Sequence, residues 1–279
     1  MKQCLMMFML LVIGVCSHAQ ENIDSVAFRF VYDVQAKKFE RSKTLSPDEH
    51  WLDVGKGGAS KYYSKWKERG FHLQDSIGRI GGSEEDASKV RFDMSTDQST
   101  FPYYVYKNYP TAGRQTVNYI SWEYVQYEEP MGQEWELVEG DTIILEHPCQ
   151  KAVCHYHGKT WTAFYATDIP ISEGPWKLCG LPGLIMRAYD SDGLFIFNCI
   201  GILQNLDEQI VMRNKRFRKL KPEQAHKLAE QMDSDPEGVF VAKGYKGKAK
   251  IVDQYGRERV MNFTIPKPAY YEYYTTDNK

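Results

Sequence analysis

The chain has 279 residues, with 35 basic and 37 acidic side chains, a formal net charge of -2, and 14% aromatic residues that include 19 tyrosines. So small an imbalance supplies no large field to hold a polyanion, which argues against nucleic acid as a partner. A mean hydropathy of -0.53, with no apolar run near the roughly 20 residues of a spanning helix, argues against a transmembrane span in the mature chain.

Residues 1–19 read as a signal peptide. Lys2 gives the positive end, residues 5–15 the apolar middle, and Ser17 and Ala19 the small-residue exit. Cleavage after Ala19 would start an exported chain at Gln20, placing it in the periplasm, at the outer membrane or outside the cell. A lipid-anchored alternative would acylate Cys16, but Val15 stands where such signals carry a small residue. Residues 20–279 show no repeat and no long low-complexity linker, so one β-rich domain is expected, with ample length to bury a core.

Along that domain, residues 26–33 place Phe28, Phe30 and Tyr32 on one face, the period of a half-buried strand. Residues 55–61 are glycine-rich but lack the order of a phosphate loop, and read as a turn. A weak helical pattern covers residues 60–68, and the glycines and acids of residues 78–88 read as a loop. Strands are expected at 103–107, 119–127, 135–138 and 142–145. Glu128 and Glu129, like residues 84–86, read as solvated charge runs. Residues 152–156 and 160–165 flank a Gly-containing turn, and residues 184–189 and 194–202 flank an Asp-Gly turn, giving two successive hairpins. Arg213, Lys215, Arg216, Arg218, Lys219 and Lys221 alternate with Met212, Phe217 and Leu220, as on the solvated side of a strand or helix. Pro222 can open a helix running to about residue 232, closed by Gly238. The fold expected is mainly β: a single curved antiparallel sheet or half-barrel with one or two short helices across its open side.

Four cysteines follow the leader: Cys149, Cys154, Cys179 and Cys199. An even number in an oxidising compartment favours one or two disulfides, with three connectivities open, over small buried hydrophobes. His147, His155 and His157 crowd Cys149 and Cys154, but a strand turns Cys154 away from His155 and His157, so ordinary histidines beside structural cysteines are expected. Neither the serine-hydrolase elbow nor the zinc-peptidase helix motif occurs. No catalytic residue, metal ligand or cofactor is expected.

From Asp168 the chain reads D-I-P-I-S-E-G-P-W-K-L-C-G-L-P-G-L-I, ending at Ile185. This run resembles the GLPGLI family, whose name-giving hexapeptide is reproduced by Gly180, Leu181, Pro182, Gly183, Leu184 and Ile185. The resemblance implies an exported envelope protein of Gram-negative bacteria without an established reaction. Physically, Leu181-Pro182-Gly183 suits a type II turn with Gly183 at positive φ, and Gly174-Pro175 a second stiff corner. Two corners would hold Trp176, Leu178, Leu181 and Leu184 either as a rigid plug at one end of the sheet or as an apolar binding lip. The function expected is a non-enzymatic binding or assembly module for an apolar ligand or an envelope partner protein. The alternative is an uncharacterised periplasmic hydrolase or metal-dependent enzyme.

Overall fold

A computed structural model describes residues 21–37, 43–79, 103–120, 124–212, 217–234, 250–252 and 258–260. The expected signal peptide, Gly238 and Arg213, Lys215 and Arg216 of the basic cluster lie outside these residues. The strands are β1 (Glu21–Ala36), β2 (Ser46–Gly55), β3 (Ser60–Ser64), β4 (Tyr103–Lys107), β5 (Arg114–Ile120), β6 (Tyr124–Pro130) and β7 (Glu136–Ile144). They continue as β8 (His147–Tyr156), β9 (Lys159–Ala166), β10 (Leu184–Asp190), β11 (Phe195–Gln204), β12 (Gln209–Met212), β13 (Arg218–Lys219), β14 (Lys250–Val252) and β15 (Glu258–Val260). Helix α1 spans Lys65–Arg79 and α2 spans Pro222–Ser234.

Thirteen strands form one sheet in the order β13-β6-β5-β4-β3-β2-β1-β11-β10-β9-β8-β7, with β12 beside β1. Neighbours are antiparallel except the short β13, which runs parallel to β6. The sheet is mainly antiparallel and is not closed into a barrel, as expected. Its curvature follows from one contact. Gln115 of β5 donates through Nε2 to the Tyr156 hydroxyl of β8 at 3.0 Å, although eight inter-strand steps of about 4.8 Å would hold these strands far apart in a flat sheet. The sheet therefore curls into a half-barrel.

Period-two alternation fills the inside of the curl. Phe30, Tyr32 and Val34 of β1, Leu52 of β2, Tyr62 of β3, Val105 of β4, Val117 of β5 and Val125 of β6 are buried there. Trp161, Ala163 and Tyr165 of β9 meet Phe195 and Phe197 of β11 in the same core. A second apolar cluster of Tyr63, Phe71, Tyr104, Tyr106 and Met212 includes Phe71 of α1. Pro222 opens α2 as expected, and its Ala225 packs into the main core.

Two local expectations are corrected. Residues 60–64, expected to be helical, are the strand β3, paired with both β2 and β4; the helix begins only at Lys65. Long-range pairing there overrides a weak local pattern. Residues 119–127, expected as one strand, span the end of β5 and the start of β6, which pair as a hairpin. Conversely, the pieces expected at 135–138 and 142–145 are one strand, β7, with a bulge between Val138 and Asp141.

Candidate functional site

Between β9 and β10, residues 167–183 leave the sheet and pack into the hollow of the half-barrel. Their backbone ties back repeatedly: Leu184 N–H donates to the Ile169 carbonyl at 3.1 Å, Ile185 N–H to Glu173 at 2.9 Å, and Gly180 N–H to Ser172 at 3.3 Å. A tight turn is closed by Leu178 N–H on the Pro175 carbonyl at 3.1 Å, with Trp176 held at φ 53°. Such a φ is uncommon for a bulky residue and persists where packing determines it. Trp176 lies against Trp161, with ring centroids 5.4 Å apart.

All four residues expected as a binding surface are inside this plug or its exit. Trp176 is 6% exposed, Leu181 1%, and Leu178 and Leu184 0%. All four belong to the main core cluster. Burial of such side chains is worth about 1.5–3 kcal/mol each.

The glycines have divided roles. Gly180 carries the positive φ, 94°, a backbone region that costs L side chains about 1–2 kcal/mol. Gly183 does not lie in that region, which corrects the type II turn expected at Leu181-Pro182-Gly183. Its need is for space: a Cβ there would stand 1.9 Å from the Ala166 carbonyl oxygen. A Cβ on Gly174 would meet Ile185 side-chain atoms at 2.8 Å. Pro175 is buried and Pro182 exposed.

Two buried lysines fasten the plug in opposite senses. Lys107, on β4 and 0% exposed, reaches into the plug. Its Nζ lies 2.9 Å from Glu173 Oε2 and donates to the carbonyls of Gly174 at 2.9 Å and Leu178 at 3.0 Å. Ser60 Oγ donates to the other oxygen of Glu173 at 3.0 Å. Lys177, on the plug and also 0% exposed, reaches out to β6. Its Nζ lies 2.8 Å from Glu129 Oε1 and 3.0 Å from the Tyr127 hydroxyl. The sheet thus offers a lysine to a plug glutamate, and the plug returns a lysine to a sheet glutamate.

Around Glu129 the environment is dense. Gln115 Nε2 donates to its Oε1 at 2.8 Å, and His157 Nε2 lies 3.6 Å from its Oε2. Burial alone would raise its pKa, but Lys177 and His157 outweigh this and hold the carboxyl well below the usual range. His226 of α2 closes the cluster, 5.4 Å from the Tyr127 ring and 6.2 Å from His157 by centroids. The expectation of a solvated Glu129 is therefore corrected; Glu128, half-buried beside Arg114, is the outward member of the pair. His157 is likewise drawn inward, whereas His155 is exposed and His147 meets Asp168 at 2.8 Å.

The signal for these anchors was present. On β4, Tyr103, Val105 and Lys107 share a phase, and on β6 so do Val125, Tyr127 and Glu129. A charged residue at an apolar phase is the mark of a buried ion pair. The strand expected to end at Tyr127 leaves Glu129 outside it, whereas β6 runs to Pro130.

The expected disulfide is not formed: Cys149, Cys154, Cys179 and Cys199 are free and buried. Cys149 and Cys154 lie five residues apart on β8, about 16 Å along an extended strand, against a limit near 7 Å between Cα atoms. Cys199 of β11 is three strands away from β8. Cys179 is in the plug, where its N–H takes Gln133 Oε1 at 2.9 Å and its carbonyl takes Trp135 Nε1 at 2.8 Å. Burial pushes the thiols of Cys154 and Cys199 up to about 12. Among the described residues, no group of three or more His, Cys, Asp or Glu is arranged to hold a metal ion.

Two features remain open to solvent. At one end of the hollow a cleft of about 450 Å³ lies between the plug and hairpin turns, lined by Val54, Asn108, Met131, Ile171, Ser172 and Cys179 among others. At the end of the strand order, β7 has β8 on one side and no strand on the other among the described residues. Leu137 and Ile143 of β7 are 60% and 74% exposed, and Leu145 beyond it 42%. Leu137 stands opposite Ala152 and Ile143 opposite Pro148, so both lie on the same face of the sheet.

No curated protein matches the chain. Among solved structures, PNGF-II matches in one crystal form at 13% identity and a TM-score of 0.47, over 73% of this chain and 33% of that one. A second crystal form matches at 13% identity and a TM-score of 0.43, over 73% and 31%. The chain thus spans about a third of the length of these structures. Residues 103–187, from β4 through the plug into β10, are similar to a family described as "Protein of unknown function (Porph_ging)", and the match includes all six residues from Gly180 to Ile185.

Proposed function

We propose that the chain is a non-enzymatic assembly module of the bacterial envelope, exported by its leader, that recruits a partner protein along β7. The observation that carries this reading is Ile143, 74% exposed on a nine-residue strand that ends the sheet. A large apolar side chain beside an unpaired strand edge is a template for pairing with another chain. The hollow supports the same reading, because the plug fills it with the residues that a lipid-binding interior would present to a ligand. Both oxygens of Glu173 and both of Glu129 face plug or sheet donors, the use expected of anchors rather than of an acid and base pair. The family resemblance at residues 168–185 supports the envelope setting.

The test is capture from envelope extract, with wild type, Leu137→Lys and Ile143→Lys as baits. Both variants should keep the parent's unfolding free energy within about 0.5 kcal/mol, as exposed substitutions do, while losing the partner that wild type enriches. Identical capture by all three baits would overturn the assignment to β7.

A further inference from the structure

We infer that the occupant of the β7 edge is a basic, extended protein segment that adds to the sheet as a further strand. This rests on the reading of β7 as the recruiting edge and adds the chemistry of the partner.

Residues 131–147 contain Glu134, Glu136, Glu139, Asp141 and Glu146 and no lysine or arginine. All five acids are exposed. Lys151 of β8, opposite Val138, has its stem beside Gly140. The edge is therefore acidic along its length, with Leu137 and Ile143 standing on one face between the acids. Of the acids paired on β7, Glu136 opposite Val153 lies on the other face, and Asp141 opposite Gln150 shares the face of Leu137 and Ile143. An extended segment that carries both basic and apolar residues matches the two features.

The same arrangement disfavours a second copy docking edge to edge. Two-fold antiparallel pairing about Gly140 would bring Leu137 opposite Ile143, but also Glu139 opposite Asp141. Like charges directly opposite are destabilising. A basic segment does not meet that charge obstacle.

The probes are three labelled octapeptides: alternating Lys-Val, alternating Lys-Ser of equal charge, and alternating Glu-Val. Fluorescence polarisation at low salt should show Lys-Val binding the whole protein at least tenfold more tightly than either of the others. Ile143→Ser and Leu137→Ser, which leave the charge unchanged, should weaken Lys-Val binding by about tenfold. Hydrogen exchange should slow at β7 amides on adding Lys-Val. Equal binding of Lys-Ser, indifference to the serine variants or no slowing at β7 would overturn the inference. So would self-association in sedimentation that is lost in both Ile143→Lys and Lys219→Glu, since it would give the edge to the exposed basic strand of a second copy. Failure of the peptides with β7-dependent capture from envelope extract would refute the basic segment and leave the recruiting edge standing. Failure of both would remove the edge itself.

Discussion

Gly180 and Gly183 stand three residues apart in the same hexapeptide and are needed for different reasons. Gly180 holds φ 94° with its Cβ direction at ordinary contact distance from Gly132, so Gly180→Ala should cost about 1–2 kcal/mol of backbone strain. Gly183 faces the Ala166 carbonyl oxygen, 1.9 Å from an added Cβ. Backbone cannot rotate away as a side chain can, so Gly183→Ala must separate residue 183 from the end of β9 and should destabilise more than Gly180→Ala. Denaturant midpoints of the two variants check the order; a Gly183→Ala protein as stable as the Gly180→Ala protein would contradict it. Leu181→Ser, at a side chain 1% exposed, should lose roughly 2–4 kcal/mol from the cavity and the buried hydroxyl. The hexapeptide's composition already suggested a rigid corner, but the reason for Gly183 is a contact with β9, seventeen residues earlier, which no local turn rule contains.

At the scale of elements, the plug is held by reciprocal buried ion pairs. Lys177→Met leaves Glu129 buried beside Gln115 and His157 without its lysine, and Glu129→Gln leaves Lys177 facing an amide; each should cost about 3–5 kcal/mol. The double variant removes both charges and should cost clearly less than the sum, a coupling readable from the denaturant midpoints of the four proteins. Strictly additive losses would show that the two side chains do not interact. The pH dependence follows from the depressed pKa of Glu129. The unfolded chain binds the proton more readily, so this contribution is complete well above the unfolded value of about 4.3 and is lost as pH falls below it. The denaturant midpoint of wild type should therefore drop between pH 6 and pH 3 more steeply than that of Glu129→Gln. Much of the architecture was legible from alternation and turn chemistry: β4 matches its expected limits, both later hairpins form, and Pro222 opens α2. The burial of Lys107 and Glu129 was legible from their phase, but their partners were not, because Lys107 and Glu173 lie 66 residues apart and only the curl of the sheet brings them together.

The described residues form an open half-barrel whose inside is occupied by residues 167–183. Residues 180–185 pack as part of the plug and its exit, and the proposed recognition lies at the periphery. Trp176, Leu178, Leu181 and Leu184 are buried, whereas β7 carries the exposed apolar side chains Leu137 and Ile143. Site-specific photo-crosslinking in cells tests this division most directly, with the reactive group placed in turn at Ile143 and, as a control, at Ile200, which is 53% exposed on β11. The account predicts a discrete crosslinked partner from position 143 and none from position 200. Crosslinks of equal yield from both positions, or none from position 143, would contradict it.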